Sequence, residues 1–336
     1  MLGKHRVYRI AVLSAGLFCT FILTAGSLIP TTSGADAVSF VAIDVPNATV
    51  TSAQGISDSG AIVGSFIDDR GVSHGFLRTN RGRFTTLDYP DARDTGIWGI
   101  NGAGDVVGVF HDDKGGTHGF LRTDDGAFTA IDVPGAVRTS AWGVSDTDQV
   151  AGTYEDGKGK VHGFVRDTKG VLIAVDPAGS VRTNVFGSNT VGDVVGWFDD
   201  ATGKTHGFVR IMPGKHVVLR VFDMPKGRGI SPNGINNLGE IVGSFTDDNN
   251  VLHGFLRSDD GTFTVIDIPG AINTSAWGIN DDDAIVGRFS DADKKTHGFM
   301  LTHRRARRDC IRRSGTHEPG GACRRARVAV RPPGEI

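Results

Sequence analysis

Cysteine is scarce in this chain. Only Cys19, Cys310 and Cys323 occur in 336 residues, and none lies between residues 38 and 302. The long central body therefore cannot depend on disulfides, and the absence of any C-x-x-C pair excludes a cysteine-rich metal framework. No stretch of the body sustains a 3.6-residue apolar period, which excludes a helical domain there. There is no G-x-S-x-G nucleophile elbow, no phosphate-binding glycine loop and no H-E-x-x-H zinc motif. Long charged, apolar-poor stretches are also missing from the body, which argues against disorder.

Glycine is what the chain has in excess. Its 48 Gly are roughly twice the usual share, but they do not recur every third residue, so a collagen is excluded. Scattered Val, Ile, Phe and Thr between the glycines favour many short strands. Aromatic content comes mostly from 19 Phe. The net charge of -2 conceals an asymmetry. Residues 303–336 hold ten Arg against Asp309, Glu318 and Glu335, whereas the body holds 23 basic residues against 34 acidic ones. An acidic body argues against a nucleic-acid surface.

Both ends differ from the body. Lys4, Arg6 and Arg9 precede an uncharged, mostly apolar run from Ile10 to Ile29, followed by Ala35-Asp36-Ala37. That order is expected of a signal peptide, residues 1–37, cleaved after Ala37. The alternative is an uncleaved anchor, since about 20 residues can span a bilayer. Ser14, Gly16, Thr20, Thr24 and Gly26 weaken that alternative. Residues 303–336 read as an Arg-rich, disordered tail, in which Cys310 and Cys323 could form a local disulfide. The expected location is secreted, periplasmic or at the cell surface, with no membrane span once the leader is removed.

The dominant signal is an internal repeat. His-Gly-Phe begins at His74, His118, His162, His206, His253 and His297, at steps of 44, 44, 44, 47 and 44 residues. An aspartate recurs in step with it, at Asp44, Asp88, Asp132, Asp176, Asp223 and Asp267, always 30 residues before the next His. The three extra residues therefore lie between His206 and Asp223, where they lengthen one hairpin around Pro213-Gly214-Lys215. Each unit reads as four short strands: one around Trp98-Gly99-Ile100, one around Val106 to Phe110, one at His118 to Arg122, and one at Phe128 to Val133. Turns rich in Gly, Asn and Asp separate them. Four strands in about 44 residues suit a propeller blade. The body opens at Phe40 with a fourth-type strand and ends at His297 to Leu301 with a third-type strand. The expected architecture is thus all-β: a six-bladed propeller of four-stranded blades over residues 38–302. Its N-terminal strand, Phe40 to Val45, would complete the last blade. The alternative is a β-solenoid.

The repeated residues suggest structural work. Gly64 and its equivalents sit inside the second strand, where glycine is costly unless another backbone must come close. Trp98, Trp142, Trp277 and Phe186 share one position and read as packing between neighbouring blades, with a ligand-stacking surface as the alternative. Six evenly spaced His and Asp do not converge on one point, as a catalytic centre requires. A hairpin between the third and fourth strands instead brings His74 near Leu87 or Asp88, so a His–Asp hydrogen bond in every unit is expected. No catalytic or cofactor-binding residue is singled out. Calcium is the one ion to consider, because Asp68-Asp69, Asp112-Asp113, Asp199-Asp200, Asp247-Asp248 and Asp281-Asp282-Asp283 cluster carboxylates in loops. None matches an EF-hand loop, and Asp is common in hairpin turns.

The pattern resembles the bacterial extracellular repeat family with a His-Ala-Phe signature, the HAF repeats. Here it runs as His74-Gly75-Phe76-Leu77-Arg78, with Gly99 to Asn101 and Val106 to Gly108 as accompanying elements. The resemblance covers about residues 40–302, with Gly in place of Ala in every copy. It implies an extracellular or envelope protein, and that family carries no general assigned activity. Two function classes follow. One is a non-catalytic exported module, a monomer that binds a glycan, a surface polymer or an envelope protein. The other is a secreted polysaccharide hydrolase or lyase whose carboxylates lie far apart in sequence. The near-identity of the units favours the first.

Overall fold

A computed structural model describes residues 37–211 and 217–304. The leader, the Arg-rich tail with Cys310 and Cys323, and the hairpin tip at Pro213-Gly214-Lys215 lie outside the described residues.

The described chain is an all-β propeller. Short strands form because β-branched and aromatic residues alternate between Gly-bearing turns. Gly60, Gly82 and Gly104 turn with positive φ angles of 79°, 88° and 97°, a region that side chains resist. One four-stranded antiparallel sheet holds β2 (Val50–Ile56), β3 (Ile62–Ile67), β4 (Ser73–Arg78) and β5 (Phe84–Thr86). A second holds β14 (Arg182–Ser188), β15 (Val194–Asp199), β16 (Thr205–Ile211) and β17 (Val218–Phe222). A third holds β18 (Arg228–Ile235), β19 (Ile241–Thr246), β20 (Leu252–Arg257) and β21 (Phe263–Ile266). The fourth joins the two ends of the body. There β22 (Asn273–Ile279), β23 (Ile285–Ser290) and β24 (Thr296–Arg304) are completed by β1 (Ala37–Ile43), which pairs antiparallel with β24 from Ala37↔Arg304 to Ile43↔Gly298.

The expectation of six separate four-stranded blades is corrected here. Hydrogen bonding makes four discrete four-stranded sheets, not six. The remaining strands, β6 (Asp94–Ile100), β7 (Val106–His111), β8 (Thr117–Arg122), β9 (Phe128–Ile131), β10 (Arg138–Val144), β11 (Val150–Glu155), β12 (Val161–Arg166) and β13 (Leu172–Ala174), form one eight-stranded sheet. The physical reason is local. The first residue of β10 comes so close to the first residue of β8 that the two backbones bridge in parallel, Arg138↔Thr117. That single pairing fuses what the repeat alone would keep apart. The open solenoid is not what forms either, because the first and last strands are hydrogen-bonded to each other.

The core lies between the sheet faces. Phe76, Phe120, Phe164, Phe208, Phe255 and Phe299, the phenylalanines of the repeated His-Gly-Phe, are each at most 1% exposed. They demand glycine on the neighbouring strand: a Cβ at Gly64 would meet the Ser52 carbonyl oxygen at 2.0 Å and the Phe76 ring at 2.8 Å. The innermost strands of the repeat units, β2, β6, β10, β14, β18 and β22, are packed backbone to backbone around one axis. At Gly143 a Cβ would sit 2.4 Å from the Phe186 carbonyl oxygen, and at Gly278 it would sit 2.9 Å from the Gln54 carbonyl oxygen.

Candidate functional site: the two ends of the axis

Each repeated His finds the repeated Asp of its own unit. The Nδ1···carboxylate distances are 2.8 Å for His74–Asp88, 2.9 Å for His118–Asp132, 2.7 Å for His162–Asp176, 2.8 Å for His206–Asp223, 2.8 Å for His253–Asp267 and 2.9 Å for His297–Asp44. The last pair joins residues from opposite ends of the body. Each imidazole also stacks on the aromatic ring that ends the second strand, as in Tyr154–His162 with centroids 4.9 Å apart. The other ring nitrogen faces a loop aspartate, 3.2 Å away for His297–Asp291 and 3.6 Å for His74–Asp68. Asp132 and Asp112 hold the His118 pKa up against the opposing effect of burial.

The loop aspartates are already occupied. Asp68 Oδ1 accepts the backbone N–H groups of Arg70 and Val72, while Oδ2 accepts from the Arg70 guanidinium. The Val72 N–H first, with Arg70 adding to it, brings the Asp68 carboxyl down to about 2. Asp112, Asp156 and Asp247 close their turns in the same way and are likewise lowered. Among the described residues, no group of three or more His, Cys, Asp or Glu is placed to hold a metal ion. The twelve repeat residues are thus brought together as six separate pairs, not as one cluster.

What does converge is the axis. Five of the six inner strands carry a register shift against the second strand at one shared place, between Ala53 and Gly55, Ile97 and Gly99, Ala141 and Gly143, Pro232 and Gly234, and Ala276 and Gly278. In β14 the shift spans Val185 to Ser188. A bulge leaves one residue unpaired and re-aims its side chain. The unpaired residues are Gln54, Trp98, Trp142, Asn233 and Trp277, with Phe186 and Gly187 both unpaired in β14. Trp98 lies 4.5 Å from Trp142 and 5.3 Å from Trp277, centroid to centroid. Phe186 lies 5.4 Å from Trp142 and 6.2 Å from Trp277. Trp98 and Trp277 belong to units that are not neighbours in the repeat, so these rings meet across the axis. The expected packing between neighbouring units holds for Trp98–Trp142 and Trp142–Phe186, and the rings also reach across the axis. All four remain partly exposed. Polar groups sit beside them: Trp142 Nε1 donates to Thr153 Oγ1 at 2.9 Å, Ser65 donates to Gln54 Oε1 at 3.0 Å, and Asn233 is fixed by donating to the Ala276 carbonyl at 2.8 Å.

Further along the inner strands comes a girdle of Ile56, Ile100, Val144, Ser188, Ile235 and Ile279, which lines the cavities on both of its sides. Beyond it the turns into the second strands form a polar end. Asp58 accepts from the Asp281 N–H at 2.9 Å, and Asp281 accepts from the Asn237 N–H at 2.8 Å. Asn237 in turn accepts from the Thr190 N–H at 2.8 Å. Thr190 Oγ1 donates to Asp146 at 2.9 Å, and Asp146 accepts from the Gly102 N–H at 2.6 Å. Gly102 has no side chain to accept a bond in its turn, so the chain of bonds is open between Gly102 and Asp58. Burial first, then the charges of Asp281, Asp146 and Asp282, push the Asp58 carboxyl up, against the opposing Asp281 N–H. The polar end thus spends its groups on its own turns. The aromatic end leaves its four rings partly exposed, while Gln54 and Asn233 beside them are buried.

No family model matches the chain, and no curated protein matches it. Solved structures do. A protein assigned as TolB from Agrobacterium tumefaciens superposes with a TM-score of 0.51 at 13% identity, over 79% of this chain and 97% of that one. AofleA from Arthrobotrys oligospora gives 0.50 at 11% identity, over 79% and 86%. TolB from Acinetobacter baumannii gives 0.47 at 12% identity over 73% of this chain, which spans 64% of the length of that protein. At such identities the likeness is one of fold: the chain is a β-propeller.

Proposed function

We propose that this protein is a non-catalytic, exported binding module that takes a glycan or glycan-bearing surface polymer at the aromatic end of its axis. The observation that carries this reading is the convergence of Trp98, Trp142, Phe186 and Trp277 on one partly exposed spot beside Gln54 and Asn233. Sugars present apolar C–H faces, which suit partly exposed indole rings. The reading extends to a monomer acting outside the cytoplasm, in the periplasm or at the surface of a bacterium, as the His-Ala-Phe-type repeat implies. Among the described residues, no helix is long and apolar enough to cross a membrane.

The test is titration calorimetry of the protein against a panel of neutral and charged oligosaccharides, repeated with Trp98→Ala and Trp142→Ala. Each variant should weaken binding about tenfold or more, a loss of about 1.4 kcal/mol, with the melting temperature little changed. A panel without a single binder would overturn the reading. The gathering of Asp58, Asp146 and Asp281 at the polar end favours a second reading, a polysaccharide hydrolase or lyase, because such enzymes work with carboxylates from distant parts of the chain. New reducing ends or unsaturated products, lost in Asp58→Asn, would establish it.

A further inference from the structure

Arg288 stands out on the aromatic end. It lies on β23, at the position filled in the other units by Ser65, Val109, Thr153, Trp197 and Ser244, so it is the one charged side chain at that level. Its guanidinium carbon is 5.7 Å from the centre of the Trp277 ring. Its charge is uncompensated: among the described residues no carboxylate lies within ion-pair distance. Arg182 and Arg138, by contrast, are matched, by Asp199 at 3.1 Å and by Glu155 at 3.6 Å. The side chain is open to solvent, yet surrounding protein crowds the guanidinium enough to lower its pKa, with no opposing charge to restore it. Trp277 offers a ligand its ring face, since its Nε1 is buried. Its Nε1–H has no partner among the described residues, whereas the equivalent Nε1–H of Trp142 is satisfied by Thr153.

A guanidinium held over an aromatic ring, without a counter-charge, suits a planar anion approached along the ring face. Its donor fork matches the two oxygens of a carboxylate. We propose that Arg288 and Trp277 form the anion-reading subsite of the aromatic end, which selects glycans carrying carboxylates, that is, uronic acid residues. This rests on the binding reading above and gives it a ligand class. The preference opposes the net charge of the body, in which acidic residues outnumber basic ones. Selection must therefore be local, through this one side chain, and should weaken as salt rises.

The experiment uses trimers of galacturonate and mannuronate, their methyl esters, and neutral galactotriose. Each is titrated calorimetrically against the full chain and against Arg288→Gln and Trp98→Ala, with melting temperatures to confirm folding. We expect at least one acidic trimer to bind about tenfold or more tighter than its ester. Arg288→Gln should remove that difference by weakening the acidic trimer at least tenfold more than its ester or the neutral sugar, whereas Trp98→Ala should weaken all of them alike. Acidic and esterified sugars binding alike, or an acid affinity unmoved by Arg288→Gln, would overturn the subsite and leave the binding module standing. If no saccharide of either charge binds the full chain, the binding reading falls, and the subsite with it.

Discussion

Thr183 shows how one departure from the repeat leaves a mark on a single atom. In four units a threonine at the start of the inner strand accepts a backbone N–H from six residues earlier: Thr51 from Val45, Thr95 from Tyr89, Thr139 from Val133 and Thr274 from Ile268. In the fourth unit the residue six earlier is Pro177, which has no N–H to give. Thr183 is fully buried and its hydroxyl has no partner among the described residues. Removing a satisfied buried hydroxyl costs stability, whereas removing an orphaned one does not. Thr139→Val should therefore destabilise by about 1 kcal/mol, and Thr183→Val should be neutral or stabilise by up to about 1 kcal/mol; chemical denaturation of the two variants measures the contrast. The His–Asp pairs yield a pH prediction with the opposite character. Because the folded state raises the His118 pKa, the pair contributes its full stabilisation below about pH 6.5, the unfolded value. It loses that contribution as pH rises through the folded value. His118→Gln should cost about 0.5 to 1 kcal/mol at pH 5.5 and progressively less toward pH 9, measured by thermal unfolding across that range. The period of 44 made these histidines and aspartates visible in the sequence, because a fixed offset needs only counting. The threonine bond was not visible, because Thr is equally at home as a plain strand residue.

At the scale of the strand, the bulge decides where side chains point. Strict alternation would put Trp98 on one of the two sheet faces, and from sequence alone that reads as packing between units. One extra residue in β6, opposite β7, breaks the alternation between Ile97 and Gly99 and turns the indole to the axis. A legible trace exists in hindsight: Ile97 and Gly99 flank the Trp and are both buried, and the same small residue follows the bulge in every unit. That glycine is held by close approach. A methyl group at Gly143 would press on the Phe186 carbonyl oxygen of the next inner strand, 2.4 Å away. Gly143→Ala should destabilise by about 1 to 3 kcal/mol, the usual cost of overpacking. The exposed Gly157, whose added Cβ would meet nothing within 4 Å, should tolerate alanine with little change. Comparing the two melting temperatures separates strain at the axis from the generic effect of losing a glycine. The strand inventory followed from the turns, since Gly, Asn and Asp punctuate every unit. The merging of two units into one sheet through Arg138↔Thr117 did not, because it depends on how closely two backbones approach rather than on any residue type.

For the molecule as a whole, the energetic question is what the pairing of its ends contributes. An array of similar units without closure unfolds from its ends, since each unit is stabilised mainly by its neighbours. Here β1 lies along the full register of β24 from Ala37 to Ile43, and His297 is bonded to Asp44 from the opposite end of the body. Asn280 donates to the Ser57 carbonyl at 3.1 Å across the same seam, a bond that Asn101, Asn189 and Asn236 repeat between other adjacent units. Ile43 is 1% exposed in a cluster with Ala53, Ile62 and Phe76, so β1 anchors the core of the next unit as well as completing a sheet. Truncating its side chain in Ile43→Ala should cost about 2 to 5 kcal/mol. The pattern of the loss is more telling than its size. If closure couples all the units, the intact protein melts in one transition and its slowest amides exchange together. A variant weakened at Ile43 should lose protection first in β24 and β2, on the two sides of the seam. Hydrogen exchange followed by mass spectrometry reads that order directly. Uniform loss of protection across all strands would mean that the seam is no weaker than any other junction, and that stability is set by the inner-strand packing around the axis.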